Sequence, residues 1–287
     1  MSVFVQQQHS INDFSSSGSW VILSEIELSI KRKIEAVGTP LKDWDIQIYR
    51  GVLTGYNEAF IISTEKRDEI LANCHSEEER AKTAELIRPI LRGRDIKRYG
   101  YDWAGLWLIN THNGVKGVKP RIDINDYPAV KQHLDKYWDK ISKRADKGDT
   151  PYNLRNCAYV DDFNQPKLMY SEIVREPQFF LDKFGEFLPE ASTFLMTGEN
   201  IDYLYKVFHT RIVTYFFKKF YAGGGLGGDG YRYKKAFFEQ LPIPKLPKAA
   251  LEQFKCLETE NEIEEKVIQL FELSNIQIQF IESQYSQ

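Results

Sequence analysis

Residue types able to hold a metal, a nucleophile or a phosphate occur throughout this 287-residue chain, but few stand at the spacing that such chemistry needs. His9, His75, His112, His133 and His209 share no metal-ligand spacing with one another or with Cys74, Cys157 and Cys256. The three thiols are odd in number, lie about 80 to 100 residues apart and form no CxxC pair, so they read as reduced, structural cysteines. Only His112 sits in a polar loop, between Thr111 and Asn113, where hydrogen bonding is a simpler role than that of ligand or base. Asp95-Ile96-Lys97 and Glu264-Glu265-Lys266 match the acid-x-Lys arrangement that nucleases place around Mg²⁺, yet a chain with 28% charged residues produces such triplets by chance. Gly223, Gly225 and Gly228 satisfy GxGxxG, but they follow an aromatic helical stretch, whereas a dinucleotide fingerprint follows a strand. A loop that approaches another surface, or a plain linker, fits them better than a cofactor cradle. The chain also lacks GxxxxGK[ST], HExxH and GxSxG, so ATPase, zincin and hydrolase chemistry have no primary residues here.

Charge is distributed unevenly. The net charge of −3 combines a C-terminal stretch, residues 251–287, holding eight Glu against Lys255 and Lys266, with a remainder that carries +3. Arg88, Arg92, Arg94, Lys97 and Arg98 fall within eleven positions, and Lys218, Lys219, Arg232, Lys234 and Lys235 flank the glycine run. Such patches suit a polyanion, although a solvated charged face is the commoner explanation for any one of them. The composition, 42% hydrophobic and 14% aromatic, supports a folded core. The sequence shows neither a spanning apolar run nor a secretory signal, and the expected location is cytoplasmic.

The elements that must position these residues follow from periodicity and punctuation. Ser24 and Glu27 form a capping box for a helix reaching Val37, stopped by Gly38-Thr39-Pro40. Strands are expected at Ile46–Tyr49 and Ala59–Ser63, separated by a turn-rich linker from Gly51 to Asn57. A helix from Glu77 to about Arg88 should end at Pro89, with a strand at Leu106–Asn110 and an amphipathic helix from Pro128. Further strands are expected at Lys167–Val174, Gln178–Asp182 and Ser192–Met196, and one core helix over Asn200–Tyr221. Leu241-Pro242-Ile243-Pro244 must be extended, and the tail from about Lys248 is helical, with Asn275 capping a final short helix.

Several phrases together resemble the TaqI-like C-terminal specificity domain of type IIG restriction-modification enzymes and related adenine-specific DNA methyltransferases. They are Tyr49 to Phe60 (YRGVLTGYNEAF), Arg88 to Ile96 (RPILRGRDI), the loop Asn110 to Gly114, Asp149 to Arg155, Pro166-Lys167-Leu168 and Leu241 to Pro244, in this order between about Trp20 and Lys245. The resemblance implies sequence-specific recognition of double-stranded DNA, directing adenine methylation and cleavage by catalytic domains attached in cis or supplied in trans. The Asn/Asp-Pro-Pro-Tyr/Phe motif of such methyltransferases is absent here, so the chain itself is expected to be non-catalytic, with S-adenosylmethionine and Mg²⁺ belonging to the attached or partner domains. A methylation-only phage-defence methyltransferase is the alternative setting, and a small-ligand enzyme using Gly223–Gly230 a more remote one.

On that resemblance, Arg50, Tyr56, Asn57, Arg92, Arg94 and Lys97 position DNA phosphates or brace the fold. Base reading is expected from the less motif-like loops Asn113–Arg121, Arg144–Arg155 and Tyr231–Lys235, with Asn113, Arg121, Arg155, Tyr231 and Arg232 as the residues to watch. The expected fold is mixed α/β, a twisted mixed sheet with flanking helices. Residues 1–19 are expected to be a flexible segment, 20–247 the recognition domain and 248–287 a helical spacer.

Overall fold

The computed structural model describes residues 23–223 and 230–285, so segment 1–19 and the interior of the Gly223–Gly230 loop lie outside the described residues. The first helix forms as its cap dictates. Glu27 accepts the Ser24 N–H at 2.7 Å, the Ser24 hydroxyl oxygen accepts the Glu27 N–H, and Glu25–Val37 buries Ile30 and Ile34 before Gly38 ends it.

The chain divides into two compact units, one of residues 47–172 and 178–197, the other of residues 1–46, 173–177 and 198–287. The first, here the central unit, holds two four-stranded sheets. One has the order Phe179–Asp182, Lys167–Ser171, Thr193–Gly198, Ile46–Arg50, and the other Leu188–Pro189, Ile87–Leu91, Leu106–Ile109, Ile61–Ser63. In the second sheet only the Leu188–Pro189 pairing is parallel, so the fold is mixed α/β with mostly antiparallel ladders. Phe60, Ile90, Leu108, Ile109, Val130, Leu134 and Ile141 are fully buried in one cluster, joining this second sheet to the helix Pro128–Asp135.

The other unit, the terminal unit, is largely helical: Glu25–Val37, Ile201–Phe208, Arg211–Phe216, Lys248–Lys255, Glu260–Leu270 and Asn275–Ser283. Aromatic side chains fill it, with Phe216 edge-on to Phe271 at 5.0 Å and Tyr203 edge-on to Phe254 at 4.8 Å. Pro242–Ile243 is extended as expected and pairs antiparallel with Thr39–Pro40.

Five stretches depart from expectation. Residues Ile87–Leu91 run as a strand through Pro89, because burying Ile87, Ile90 and Leu91 outweighs the donor that proline lacks, and the preceding helix stops at Leu86. Asn57–Phe60 is a helical turn that buries Ala59 and Phe60, leaving the strand only Ile61–Ser63. Thr64–Ala72 is a further helix, capped by Ser63, whose weak amphipathicity hid it. The long helix expected over 200–221 breaks at His209-Thr210, where the Thr210 hydroxyl donates to the Val207 carbonyl at 2.7 Å. The second piece is then capped by Glu264, which accepts the N–H groups of Arg211 at 2.7 Å and Ile212 at 2.9 Å. That contact gives the Glu264-Glu265-Lys266 triplet a structural role. At the C-terminal end Ser274, one residue before Asn275, is the cap of the last helix.

His133 is buried on the helix Pro128–Asp135, and its Nε2 donates to the Ala59 carbonyl at 3.0 Å. Burial pushes its pKa below the ordinary 6.5, so the ring is neutral in the fold. The unfolded chain therefore binds more protons as pH falls below about 6.5, and stability present above that value is lost on the way down through the lower folded pKa. Urea denaturation at pH 8 and pH 5.5 should show this loss, and His133→Gln, which keeps a donor but cannot titrate, should reduce it. An unchanged pH dependence in that variant would refute the assignment.

Candidate nucleic-acid interface

The central unit sorts its basic residues into those held by the fold and those at the surface. Arg92 grips Asp95 with two side-chain bonds, Nε at 2.9 Å and Nη2 at 2.7 Å, while Asp95 also accepts the Arg92 N–H at 2.9 Å. Burial alone would raise the Asp95 carboxyl, but Arg92 brings it below the ordinary range. Between them Gly93 packs on Ser171 and Ser192, and its N–H donates to the Ser192 hydroxyl at 3.0 Å. The RGRDI phrase is thus a brace between strands, and Arg92 resolves toward the bracing role. Arg88 is committed in the same way, to Asn164 and to the Gly185 carbonyl, each at 2.9 Å. Arg94 is exposed, and Lys97 donates to the Arg94 carbonyl at 2.8 Å with Asp102 at 3.8 Å. Tyr56 donates to Glu58 at 2.5 Å, and Asn57 accepts from the Thr54 hydroxyl at 2.5 Å, so both serve the local turn. Arg50 is exposed and, among the described residues, its side chain bonds through Nε alone, to the Ala191 carbonyl at 2.9 Å.

Two loops, 110–122 and 144–157, are fastened to each other. Asn113 is the rivet: its side-chain oxygen accepts the Asp149 N–H at 2.8 Å, and its amide donates to Asp149 at 3.1 Å and to Asn156. Gly114, at φ +70°, lets the chain turn where a Cβ would meet the Lys119 carbonyl oxygen at 2.3 Å. Gly148 has no room for a Cβ either, which would lie 2.3 Å from the Asn113 side-chain oxygen. Beneath them the Asn153 amide donates to the Ile122 carbonyl at 2.9 Å, and the Thr111 hydroxyl donates to the Tyr152 carbonyl at 2.7 Å. Arg144 was expected at the start of a reading loop, but it is buried and, among the described residues, its hydrogen bonds all go to backbone carbonyls.

On this fastened platform Arg121 lies 3.5 Å from Asp149, and Arg155 lies 3.2 Å from Asp146. Both arginines are about half exposed, at 48% and 51%, so these ion pairs stabilise by at most about 1 kcal/mol and can be exchanged for another acceptor. Asn113, Arg121 and Arg155 are therefore brought together, but Asn113, expected to read a base, has its side-chain oxygen and both amide hydrogens engaged by Asp149 and Asn156 and holds the loops instead. Tyr231 and Arg232 belong to the terminal unit, in a strand paired with Ile173–Val174. Tyr231 is only 2% exposed, packed on Phe217 and Tyr233 beneath the Lys218 ammonium, which leaves its ring no edge to offer a base. Arg232 is half-buried.

A cleft of about 320 Å³ also opens in the central unit, lined by Arg50, Asn110, His112, Arg155, Asn156 and Tyr159 among others. Of these, sequence reasoning singled out Arg50 and Arg155 for DNA and weighed His112 alone. Asn110, Asn156 and Tyr159 have side-chain types that occur in any loop, and only folding gathers them. Among the described residues no group of three or more His, Cys, Asp or Glu could hold a metal ion, and no helix is long and apolar enough to cross a membrane.

A family model of the TaqI-like C-terminal specificity domain matches residues 88–243, more than half of the chain. The chain belongs to this family. The matched TaqI-like segment contains both fastened loops, the RGRDI brace and most of the cleft lining. A curated relative, the type II methyltransferase M.PaeR7I of Pseudomonas aeruginosa, is 22% identical over 238 residues, which are 79% of this chain and 37% of that protein. Among solved structures, the type IIL restriction-modification enzyme MmeI in complex with DNA superposes with a TM-score of 0.60 at 11% identity, over 97% of this chain and 41% of MmeI. At that identity the likeness establishes a shared fold. This TaqI-like chain spans about two fifths of the length of these relatives.

Proposed function

We propose that this chain reads a specific sequence in double-stranded DNA for a type IIG-like restriction-modification system. In this reading, catalytic domains attached to it or supplied by a partner methylate adenine with S-adenosylmethionine and cleave with Mg²⁺. The observation that carries the proposal is the platform on which Asn113, itself bonded to Asp149 and Asn156, holds Arg121 and Arg155 half exposed, inside the segment that matches the specificity family. Arginine pairs bidentately with the guanine edge in the major groove, and Arg121 and Arg155 are the side chains placed to do so. Their exposed carboxylate partners give way at little cost, whereas the buried or braced arginines at 88, 92 and 144 do not. Arg50, Arg94 and Lys97 are the surface cations left for phosphates.

Gel shifts with cognate and scrambled duplexes over a salt series test this division. Arg155→Ala is expected to lower cognate affinity by about 1–3 kcal/mol and relax one base position, leaving nonspecific binding intact. Lys97→Ala should weaken both duplexes alike and flatten the salt slope. Equal losses on both duplexes for Arg155→Ala would overturn the readout role. The cognate site comes from mapping adenine methylation genome-wide with the chain supplied to its methyltransferase, and a single short motif lost on omitting the chain is the expected result.

A further inference from the structure

The cleft in the central unit has a graded lining. Leu154, Val160 and Phe163 are buried and form an apolar floor; Asn110, His112, Cys157 and Tyr159 are half-buried walls; Arg50, Arg155 and Asn156 are exposed at the rim. At about 320 Å³ it lies at the small end of ligand sites. Its walls are held in place. Tyr159 stacks on Tyr49 with centroids 4.1 Å apart and planes 4° from parallel, and its hydroxyl donates to the Arg50 carbonyl at 3.2 Å.

Several of the lining groups still have hydrogen-bonding capacity to offer. His112 accepts the Gly114 N–H on Nδ1 at 3.1 Å, so the neutral ring carries its proton on Nε2 and presents a donor. Burial, with Lys119 nearby, favours that neutral form. Asn110 has a side-chain amide, and Arg50 two terminal nitrogens, with no hydrogen-bond partner among the described residues. An apolar floor, neutral donors and a carboxamide in the walls, and a guanidinium at the rim match a flat heteroaromatic ring that carries an anionic group. A bare anion would leave the floor unused, and an apolar ligand would leave Asn110 and Arg50 unmatched.

We infer that this cleft binds one nucleotide unit, its base seated on the apolar floor with Asn110 and His112 on the base edge and Arg50 on its phosphate. The unit comes either from a free nucleoside monophosphate or from a nucleotide swung out of duplex DNA, and the second source rests on the DNA-reading function proposed above. Leaving the stack costs a few kcal/mol and least at a mismatch, so a mismatched duplex is the sensitive probe.

Cys157 lines the cleft and supplies the readout. In a chain carrying Cys74→Ser and Cys256→Ser, the rate of Cys157 alkylation by iodoacetamide is measured with deoxynucleoside monophosphates, with inorganic phosphate and with matched and mismatched duplexes. Millimolar nucleotide is expected to slow alkylation by about fivefold or more, as occupancy dictates, while equal phosphate does not. Asn110→Ala should abolish the protection with an unchanged melting temperature. If the serine variant fails to fold, thermal stabilisation of the unaltered chain by the same probes takes its place. Protection by free nucleotides identifies the first source, and protection by the mismatched duplex alone identifies the second. Protection matched by phosphate, or none from any probe, overturns the inference. Duplexes that shift on a gel without slowing alkylation, with free nucleotides equally inert, would leave the DNA-reading function standing and remove this site; nucleotide protection in a chain that binds no duplex would do the reverse.

Discussion

Asp182→Ala is expected to cost about 3–5 kcal/mol of unfolding free energy, a large share of the total stability of a domain, because it strands a buried ammonium. Lys167 is wholly buried and Asp182 is 2% exposed, with Nζ and Oδ2 2.7 Å apart across the register pair that joins their two strands. Burial pushes the Lys167 ammonium down and Asp182 opposes that push. Each partner also has further bonds: Lys167 donates to the Phe163 carbonyl at 2.8 Å, and Asp182 accepts the N–H groups of Glu186 and Phe187, both at 3.0 Å. Removing the carboxylate therefore frees a charge and two backbone donors at once. Lys167→Met should cost less than Asp182→Ala, and the double variant less than the sum of the singles, because two apolar side chains leave no unpaired buried charge, although the Phe163 carbonyl and the Glu186 and Phe187 N–H groups still lose their partners. Urea denaturation of the three variants measures this, and single-variant losses below about 1 kcal/mol would show the pair to be dispensable. Since Phe163 forms part of the cleft floor, the pair also ties the cleft to the sheet beneath it.

Elements with strong local punctuation were legible in the sequence. The Ser24 capping box, the Gly38 stop and the helix from Pro128 rest on interactions within a few residues, the strand near Leu106 was visible from its apolar run, and the structure reproduces all four. What misled was local evidence overruled at a distance. Pro89 reads as a terminus until Ile87, Ile90 and Leu91 find a core, and the break at His209-Thr210 gains from a carboxylate more than fifty residues away. The phrases that carry the resemblance also acquire a physical meaning: RGRDI contains an Arg92–Asp95 brace, and Pro166-Lys167-Leu168 contains half of a buried ion pair. Both look from sequence like surface charge. The candidate DNA residues divided similarly, because whether an arginine is held or exposed depends on partners far along the chain, 97 positions away for Arg88 and Gly185 and 141 for Arg50 and Ala191.

Arg144 shows how far the reading platform depends on such a held residue. The residue is 7% exposed, and its guanidinium lies 4.4 Å over the Phe60 ring and donates to the carbonyls of Thr54, Asp146, Pro151 and Asn153. No carboxylate hydrogen-bonds to it, so four backbone dipoles stabilise the charge, and burial pushes its pKa down to about 10, well above neutral pH. Arg144→Leu is expected to cost about 3–5 kcal/mol, since it leaves those carbonyls without their shared donor. Arg144→Lys is the more telling variant. It keeps the charge but replaces a planar fork with a point donor that cannot reach both pairs of carbonyls, so the segments at 54 and 146–153 should loosen while the core stays folded. Amide hydrogen exchange should then quicken in 146–156 and in the partner loop near Asn113, with little change at Leu108 or Val130. Because Arg121 and Arg155 take their mutual positions from these loops, the lysine variant should lose discrimination between cognate and scrambled duplexes, even though neither has been altered. Fast exchange without lost discrimination would mean that the reading residues do not depend on the platform, and lost discrimination without faster exchange would mean that Arg144 acts by some route other than holding the loops.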